Sequence, residues 1–375
     1  MSPAHPTRPL SDIRVVHLAS WGPAPYACML LADLGCDVTI VDRTSPMIVT
    51  VPPDLDPRRR SQKSIALNLK HEADRETFYA LIEQTDIFIE GMRPGAAEKL
   101  NIGPGQLQAL NKRLIYARMT GWGQTGPLAN TAGHDINYLA LSGALDAMGT
   151  ADEPAIPLNL LGDYAGGGMF MLTGILAALI ERQRSGLGQV IDGAIVDGVA
   201  SLSAATMGML GSGSWGQRGT NTFDGSTPWY ALYATADNKF VAVGAIEEAF
   251  YQTLMSGLGL NAADWPRKSD DDKARLRRQL TDIFKSQPRD HWAQLFEATD
   301  ACVTPVLSFE EALQHPHHKA RQTYIQLKHI PQPAPGPRFS RTDLATPSPA
   351  PTPGEHEQII RAAIANLEAS NDDQG

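Results

Sequence analysis

The chain opens with two short runs suited to a buried parallel sheet, IRVVHLAS at residues 13–20 and DVTIVD at residues 37–42. A helical stretch rich in Ala, Leu and Met separates them at residues 25–35. Such continuous Val and Ile belongs to strands covered on both faces, and two of them joined by a helix make a βαβ unit. Further strands are expected at 64–69, 85–89 and 114–119, with a helix at 72–83. The N-terminal half is thus expected to be α/β around a largely parallel sheet.

At 375 residues, 42% hydrophobic and 19% charged, the chain has material for a large core and more than one domain. From Asp163, the segment DYAGGGMFMLTGILAALIERQR has helical length, an acidic start and a basic end, and reads as a long buried helix. A second helix of small residues is expected over 197–210, followed by a Gly/Ser-rich stretch. The expected division is a large domain at 1–210, a linker at 211–225 and a smaller α+β domain at 226–330. Within the latter, strands are expected in 229–243 and helices at 271–284, 289–299 and 309–314. Residues 331–375 complete the chain as a proline-rich return tether through 353 and a helix over 355–369 that packs on the large domain.

Several functions are disfavoured by composition. A net charge of -9 argues against a general nucleic-acid partner. Cys28, Cys36 and Cys302 form neither a CxxC pair nor a metal-ligand spacing, so no disulfide framework or zinc site is expected and a cytoplasmic setting fits. MSPAHPTRPL lacks an apolar signal core, and no uninterrupted apolar window has the length of a membrane span. The first βα turn, Gly22-Pro23-Ala24-Pro25, lacks the glycines of a dinucleotide fingerprint, although Asp42 ends the second strand where a ribose contact would fall. No cofactor and no metal are expected. His315, His317 and His318 sit in an expected surface loop without an acidic or Cys partner, and Cys302 reads as a buried hydrophobe.

Two segments place ionisable groups between small residues and an apolar run: AGHDINYLALSGAL at 132–145 and PLNLLGDYAGGGM at 157–169. His134, Asp135 and Asp163 read as ordinary helix caps or as chemistry. As chemistry, His134 and Asp163 supply what proton exchange at carbon needs, a base that titrates near neutrality and an acid. A helix N-terminus beside Asp163 would also offer N–H groups to a developing enolate oxygen. That same field lowers a carboxyl pKa while burial raises it, and spacing leaves the balance open.

At these residues a resemblance emerges. GHDINYLALSGAL, PLNLLGDYAGGGM, RGTNTFDGSTPWY, FVAVGAIEEAFY and TDACVTPVL resemble successive blocks of the α-methylacyl-CoA racemases. GPAPYACMLLADLGCDVTIVDR and EGMRPGAAEKLNIGP resemble the wider CoA-transferase family III (CaiB/BaiF) to which they belong. The resemblance implies a Rossmann-like large domain, a smaller domain and two interlocked subunits forming a homodimer, with 211–225 and the proline-rich tail as crossing segments. It implies that His134 and Asp163 are the acid/base pair and that Glu247 orients the histidine, and that a thioester enolate forms without a cofactor. An acyl-CoA substrate and a place in lipid metabolism follow from the same likeness. It further implies CoA contacts at Arg43, Arg60, Lys63 and Arg93, and at Gly133, Asp135, Ile136, Asn137 and Tyr138. One departure stands out: Arg60-Ser61-Gln62-Lys63 carries Gln62 where the family carries lysine. The loss of that cation implies weaker CoA binding, or a grip shifted toward Arg58 and Arg59.

Two rival readings are a family III CoA-transferase with Asp163 as nucleophile, and a non-catalytic acyl-CoA binder that would not need His134, Asp163 and Glu247 together. Met169, Met171, Met207 and Met209 read as core packing or as apolar surface for the acyl chain.

Overall fold

A computed structural model describes residues 8–45, 50–344 and 346–372; most of MSPAHPTRPL lies outside them. Six parallel strands form one sheet: β1 (Arg14–Leu18), β2 (Asp37–Asp42), β3 (Gln62–Ala66), β4 (Ile87–Glu90), β5 (Ile115–Thr120) and β6 (Val190–Ala194). Their order, β3-β2-β1-β4-β5-β6, is the doubly wound order of a Rossmann-like fold. The reason lies in β1 and β2, where Val15, Val16, Val38, Ile40 and Val41 are almost wholly buried and so need neighbours on both sides. Strand β6 is absent from the sequence reading because Asp192 and Gly193 interrupt its apolar pattern. In the fold, Asp192 accepts the Gln124 N–H at 2.9 Å, while Gly193 sits against Met171 and Met119.

The long segment around Asp163 does not start as an α-helix. Leu160–Met169 is a wider π-helix, and Phe170–Ser185 continues it as an α-helix that ends at Gly186 with φ +76°. Three glycines permit the wide turns: a Cβ at Gly166, Gly167 or Gly168 would meet Val199, Pro23 or Tyr26 at 2.8, 2.7 and 2.6 Å. As one run, Leu160–Ser185 meets the length and composition of a membrane-crossing helix, while Asp163, Glu181, Arg182 and Arg184 keep it from being an uninterrupted apolar stretch. Its Met171, Leu172, Ile175, Ala178 and Leu179 are buried, and the helix packs on β5 and β6.

The chain divides into two compact units whose boundaries differ from the expected ones. The larger holds the residues up to Ser142, Pro157–Leu202 and those from Lys319 on; the smaller holds Gly143–Ile156 and Ser203–His318. The helix expected over 197–210 is two, Ile195–Leu202 and Ala204–Gly211, and the boundary falls at the break between them. Nor is 211–225 a loose linker. Asp224 accepts the N–H groups of Gly219, Asn221 and Ser226 at 2.7, 3.0 and 3.0 Å, and Arg218 donates to Asp146 and to the Thr150 carbonyl. That grip draws 143–156 into the smaller unit.

The smaller unit is α+β, as expected. Its antiparallel strands are β7 (Tyr230–Ala234), β8 (Phe240–Gly244) and β9 (Val303–Pro305). Helices Glu248–Gly257, Asp270–Lys285 and Arg289–Leu295 accompany them. Tyr233, Val241, Tyr251, Leu254, Leu276, Phe284 and Trp292 form its core. Cys302 is exposed at φ +53°, not buried as expected.

The proline-rich return is also more structured than a tether. Tyr324–Leu327 (β10) and Ile330–Pro333 (β11) form an antiparallel hairpin, and the closing helix Glu357–Asp372 buries Ile360 in the core of the larger unit. Arg60 fastens the hairpin: it donates to the Pro333 carbonyl at 2.6 Å and to Gln332 Oε1 at 3.1 Å. Its other donors reach both oxygens of Asp33, the last residue of the helix Pro23–Asp33, at 3.0 and 2.5 Å. Both side chains of this ion pair are 1% exposed. Removing one partner of such a pair strands the other in a dry site. Arg60→Met is therefore expected to lower unfolding free energy by about 3–5 kcal/mol, and adding Asp33→Leu should recover most of it. Denaturant titration checks both, and a single variant as stable as wild type would contradict the assignment.

Candidate active site

A cavity of about 450 Å³ opens over the carboxyl ends of β1 and β2, where open α/β sheets bind ligands. Its lining includes His17, Ser20, Trp21, Arg43, Arg58 and Arg59. Arg58 forms a bidentate pair with Asp56, at 3.0 and 2.7 Å, and Arg59 one with Asp42, at 3.1 and 2.6 Å. Ser64 also donates to Asp42 at 2.6 Å, so this carboxylate is committed within the fold and is not a free ribose contact. Arg43 is exposed, and among the described residues no carboxylate pairs with it. Two neutralised pairs and one additional cation give the cavity a net positive charge suited to an anionic ligand.

Several residues expected at a CoA site lie elsewhere. Arg60, with its donors spent on Asp33, Gln332 and Pro333, is an internal crosslink and faces no ligand. Lys63 pairs with Asp37, the first residue of β2, at 2.8 Å, toward the amino-terminal end of the strands and away from the cavity at their carboxyl ends. Arg93 is exposed after β4 and does not line the cavity. Gln62 is 4% exposed; it accepts from His17 Nε2 at 2.9 Å and donates to the Arg58 carbonyl at 2.7 Å. Position 62 thus braces two cavity-lining residues from behind. Burial lowers the pKa of His17, in keeping with a neutral ring in this bracing role.

The second part of the site is built on the π-helix. Asp163 lies in its first turn, with its carboxylate against Gly22 of the first βα turn. Asn159, one turn earlier, donates to Asp163 Oδ2 at 3.4 Å. His134 caps the helix Asp135–Leu141, and its backbone N–H donates to Asn137 Oδ1 at 3.0 Å. The imidazole is exposed and near enough to act electrostatically on Asp163, as Arg58 does. Burial pushes the Asp163 carboxyl up, and the Asp135 carboxylate pushes it further, against the opposing pull of Asn159, His134 and Arg58. The balance left open by spacing thus falls on the raised side.

Asp135 has a different task from the expected ligand contact. It is 9% exposed, and its Oδ1 accepts the Asp163 N–H at 2.6 Å; the Gly162 N–H also stabilises the carboxylate. These two N–H groups are therefore not free to form the enolate site anticipated at the helix start. Tyr138 is likewise internal: its ring packs edge-on against Trp122 at 4.8 Å and its hydroxyl donates to the Gly133 carbonyl at 2.5 Å. Gly133 is required by this packing, since a Cβ there would meet Tyr138 at 2.8 Å and Trp122 at 3.1 Å. Ile136 and Asn137 are exposed. Gly133 and Tyr138 thus shape the loop that presents His134.

Glu247 belongs to the smaller unit, where it caps the helix Glu248–Gly257 and is exposed. Sequence reasoning missed Ser20, Asp56 and Asn159; only Asn159 carried a signal, its spacing of four from Asp163. The rings of His315 and His317 lie 5.7 and 5.9 Å from that of His318, and among the described residues no cluster of His, Cys, Asp or Glu has metal-binding geometry.

Comparison with known proteins places this geometry in a lineage. The profile of CoA-transferase family III matches residues 10–357. The chain belongs to CoA-transferase family III. Within the family it is 44% identical to the alpha-methylacyl-CoA racemase of Mus musculus, over 94% of this chain and 92% of the relative. The human alpha-methylacyl-CoA racemase is 43% identical over the same shares. An acetyl-CoA:oxalate CoA-transferase of Acetobacter aceti is 30% identical over 98% of this chain and 99% of that protein. Among solved structures, a CaiB/BaiF family protein from Brucella suis superposes with a TM-score of 0.80 at 26% identity, covering 95% of this chain and 99% of the other.

The raised Asp163 carboxyl has a consequence for stability. The folded state holds this proton more tightly than the unfolded state, so its contribution is favourable at low pH and is lost as pH rises through the raised pKa. Asp163→Asn, which cannot ionise, is expected to melt above wild type at about pH 7.5, with the gain shrinking toward about pH 4. Melting curves across that range check the sign, and a variant less stable at the higher pH would refute it.

Proposed function

We propose that this family III protein is a racemase that interconverts the (2R) and (2S) epimers of a 2-methylacyl-CoA by 1,1-proton transfer. The observation that carries the reading is the pairing of Asp163, its carboxyl raised by burial, with an exposed His134 close enough to act on it. A carboxyl raised above its ordinary range can donate a proton nearer neutral pH, while an imidazole ring nitrogen can accept one.

In one direction His134 takes the Cα proton, and the C–H electron pair moves into the thioester to form an enolate. Asp163 then delivers a proton to the opposite face of Cα; the C=C electron pair forms the new Cα–H bond and an enolate-oxygen lone pair restores the carbonyl. The reverse direction exchanges the two roles. Glu247 orients the imidazole from the smaller unit of a second copy. The CoA nucleotide, an anionic handle remote from the reacting carbon, suits the basic cavity with Arg43, and its binding energy positions the acyl group. Ile136 and Asn137 are further contacts in this reading, and Arg93 one for a phosphate. No step calls for a cofactor.

The homodimer is part of the proposal. The helix Ala204–Gly211 is composed of AATMGMLG and buries none of its side chains, and in the larger unit Phe170, Ile180, Leu187 and Val190 are exposed. Apolar faces of this extent suit burial against a second copy of the chain. Met171 is core at 1% exposure, whereas Met169 and Met207, 44% and 50% exposed, remain suitable for an acyl chain. A cytoplasmic role in lipid metabolism accords with the three free cysteines and a branched acyl substrate.

Incubation with a 2-methylacyl-CoA in deuterated water is expected to place deuterium at Cα and interconvert the epimers without nicotinamide, metal or acceptor acid. His134→Ala and Asp163→Ala should each abolish racemisation while retaining exchange with opposite epimers. CoA transfer to a free acid without Cα exchange, with an Asp163 acyl adduct trapped by hydroxylamine, would move Asp163 from acid/base to nucleophile.

A further inference from the structure

One guanidinium fixes the strap of chain that carries Glu247. Residues 244–247 join β8 to the helix Glu248–Gly257, and the Gly244 N–H donates to the Cys302 carbonyl at 2.9 Å. The Glu247 side chain is exposed, so its carboxylate is aimed by the backbone beneath it. Arg267 reaches that backbone from the segment before the helix Asp270–Lys285. Its Nη1 donates to the Ile246 carbonyl at 2.7 Å and to the Ala245 carbonyl at 3.5 Å, and its Nη2 donates to Glu248 Oε2 at 2.7 Å. The residues on both sides of Glu247 are thereby tied to one rigid plane. That plane is itself anchored, 4.3 Å over the Tyr251 ring and 5.1 Å over the Trp229 ring, both in the core of the smaller unit.

A surface ion pair alone would contribute little, and Glu248 is 65% exposed. The carbonyl bonds and the stacking are what make Arg267 a brace, because a planar fork can satisfy two directions at once while lying flat on an aromatic face. We propose that Arg267 is a positioning residue for Glu247, holding the strap so that the carboxylate meets the histidine at one fixed place. The proposal rests on the reading above in which Glu247 orients His134.

The test uses the full-length protein and three measurements: Cα deuterium exchange, thioester dissociation constant and pH–rate profile. Arg267→Met is expected to slow exchange by up to about a hundredfold, as for a displaced catalytic group, with the dissociation constant held within about twofold. The pH–rate profile should move in the direction produced by Glu247→Gln. Joined to Glu247→Gln, Arg267→Met should cost nothing further in rate, because no carboxylate charge remains to be aimed. Arg267→Lys should rescue only in part, since an ammonium cannot reproduce the fork. Glu248→Gln removes one arm of the brace at an exposed position and should act in the same direction more weakly. If Arg267→Met fails to fold, Arg267→Lys and Glu248→Gln decide the matter by their profiles. Fully additive losses in the double variant, or profiles that do not move in any of these variants, would overturn the positioning role. Glu247→Gln with wild-type rate and profile would instead overturn the reading of Glu247 itself.

Discussion

A nearly dry carboxylate beneath the first turn of the π-helix is the constraint from which the site follows. Asp135 accepts the Asp163 N–H and stands one residue after His134, so a single short bond ties the His134 loop to the π-helix that carries Asp163. Burial raises the Asp163 carboxyl, and the same proximity places a second negative group beside it that pushes it further, which ties geometry to acidity. Gly162 completes the arrangement, since a Cβ there would meet Asp135 Oδ1 at 2.2 Å. A helix with these wide turns needs an external acceptor at its start, and Asp135 supplies one with a charge.

Around this centre, charges are spent in pairs. Arg58 with Asp56 and Arg59 with Asp42 are bidentate, and each pair fixes a wall of the cavity. Arg43 is left as the cation without an acidic partner among the described residues lining that cavity. Gln62 suits this economy: a neutral amide can be buried between His17 and the Arg58 carbonyl, where a lysine would carry an unpaired ammonium into a dry site. Of the cations around the cavity, Arg43 is exposed and Arg58 keeps 30% of its side chain open, so both remain accessible to an anionic ligand.

Much of the fold was legible because β-branched residues announce themselves. DVTIVD and the helix Glu72–Glu83 have the expected bounds, and the N-terminal strands fall within a few residues of theirs. Pitch was not legible: LLGDYAGGGM is as apolar and as long for an α-helix as for a π-helix, and only packing of Gly166, Gly167 and Gly168 against Val199, Pro23 and Tyr26 selects the wider form. At the site, motif context brought forward His134, Asp163, Asp135, Gly133 and Tyr138 together, yet it carried no sign that Asp135 and Tyr138 also bond within the fold. Arg60 illustrates the deeper difficulty. In sequence it is one of three consecutive arginines, and nothing local distinguishes it from Arg59, because the groups that bury it lie in Asp33 and in a hairpin far down the chain.

That hairpin imposes a timetable on synthesis. Arg60 and Gln332 are separated by 272 residues, and Asp33 emerges from the ribosome long before the segment that seals the pair from water. At about 5–20 residues per second, the interval between the two ends of this contact is roughly 15–55 s. Within that time the remaining strands of the larger unit's parallel sheet are made, the last of them β6 at Val190–Ala194, and β3 stays an edge without the closing turns at Gly354 and His356. A truncation anywhere before residue 332 would leave Arg60 and Asp33 without the hairpin that covers them.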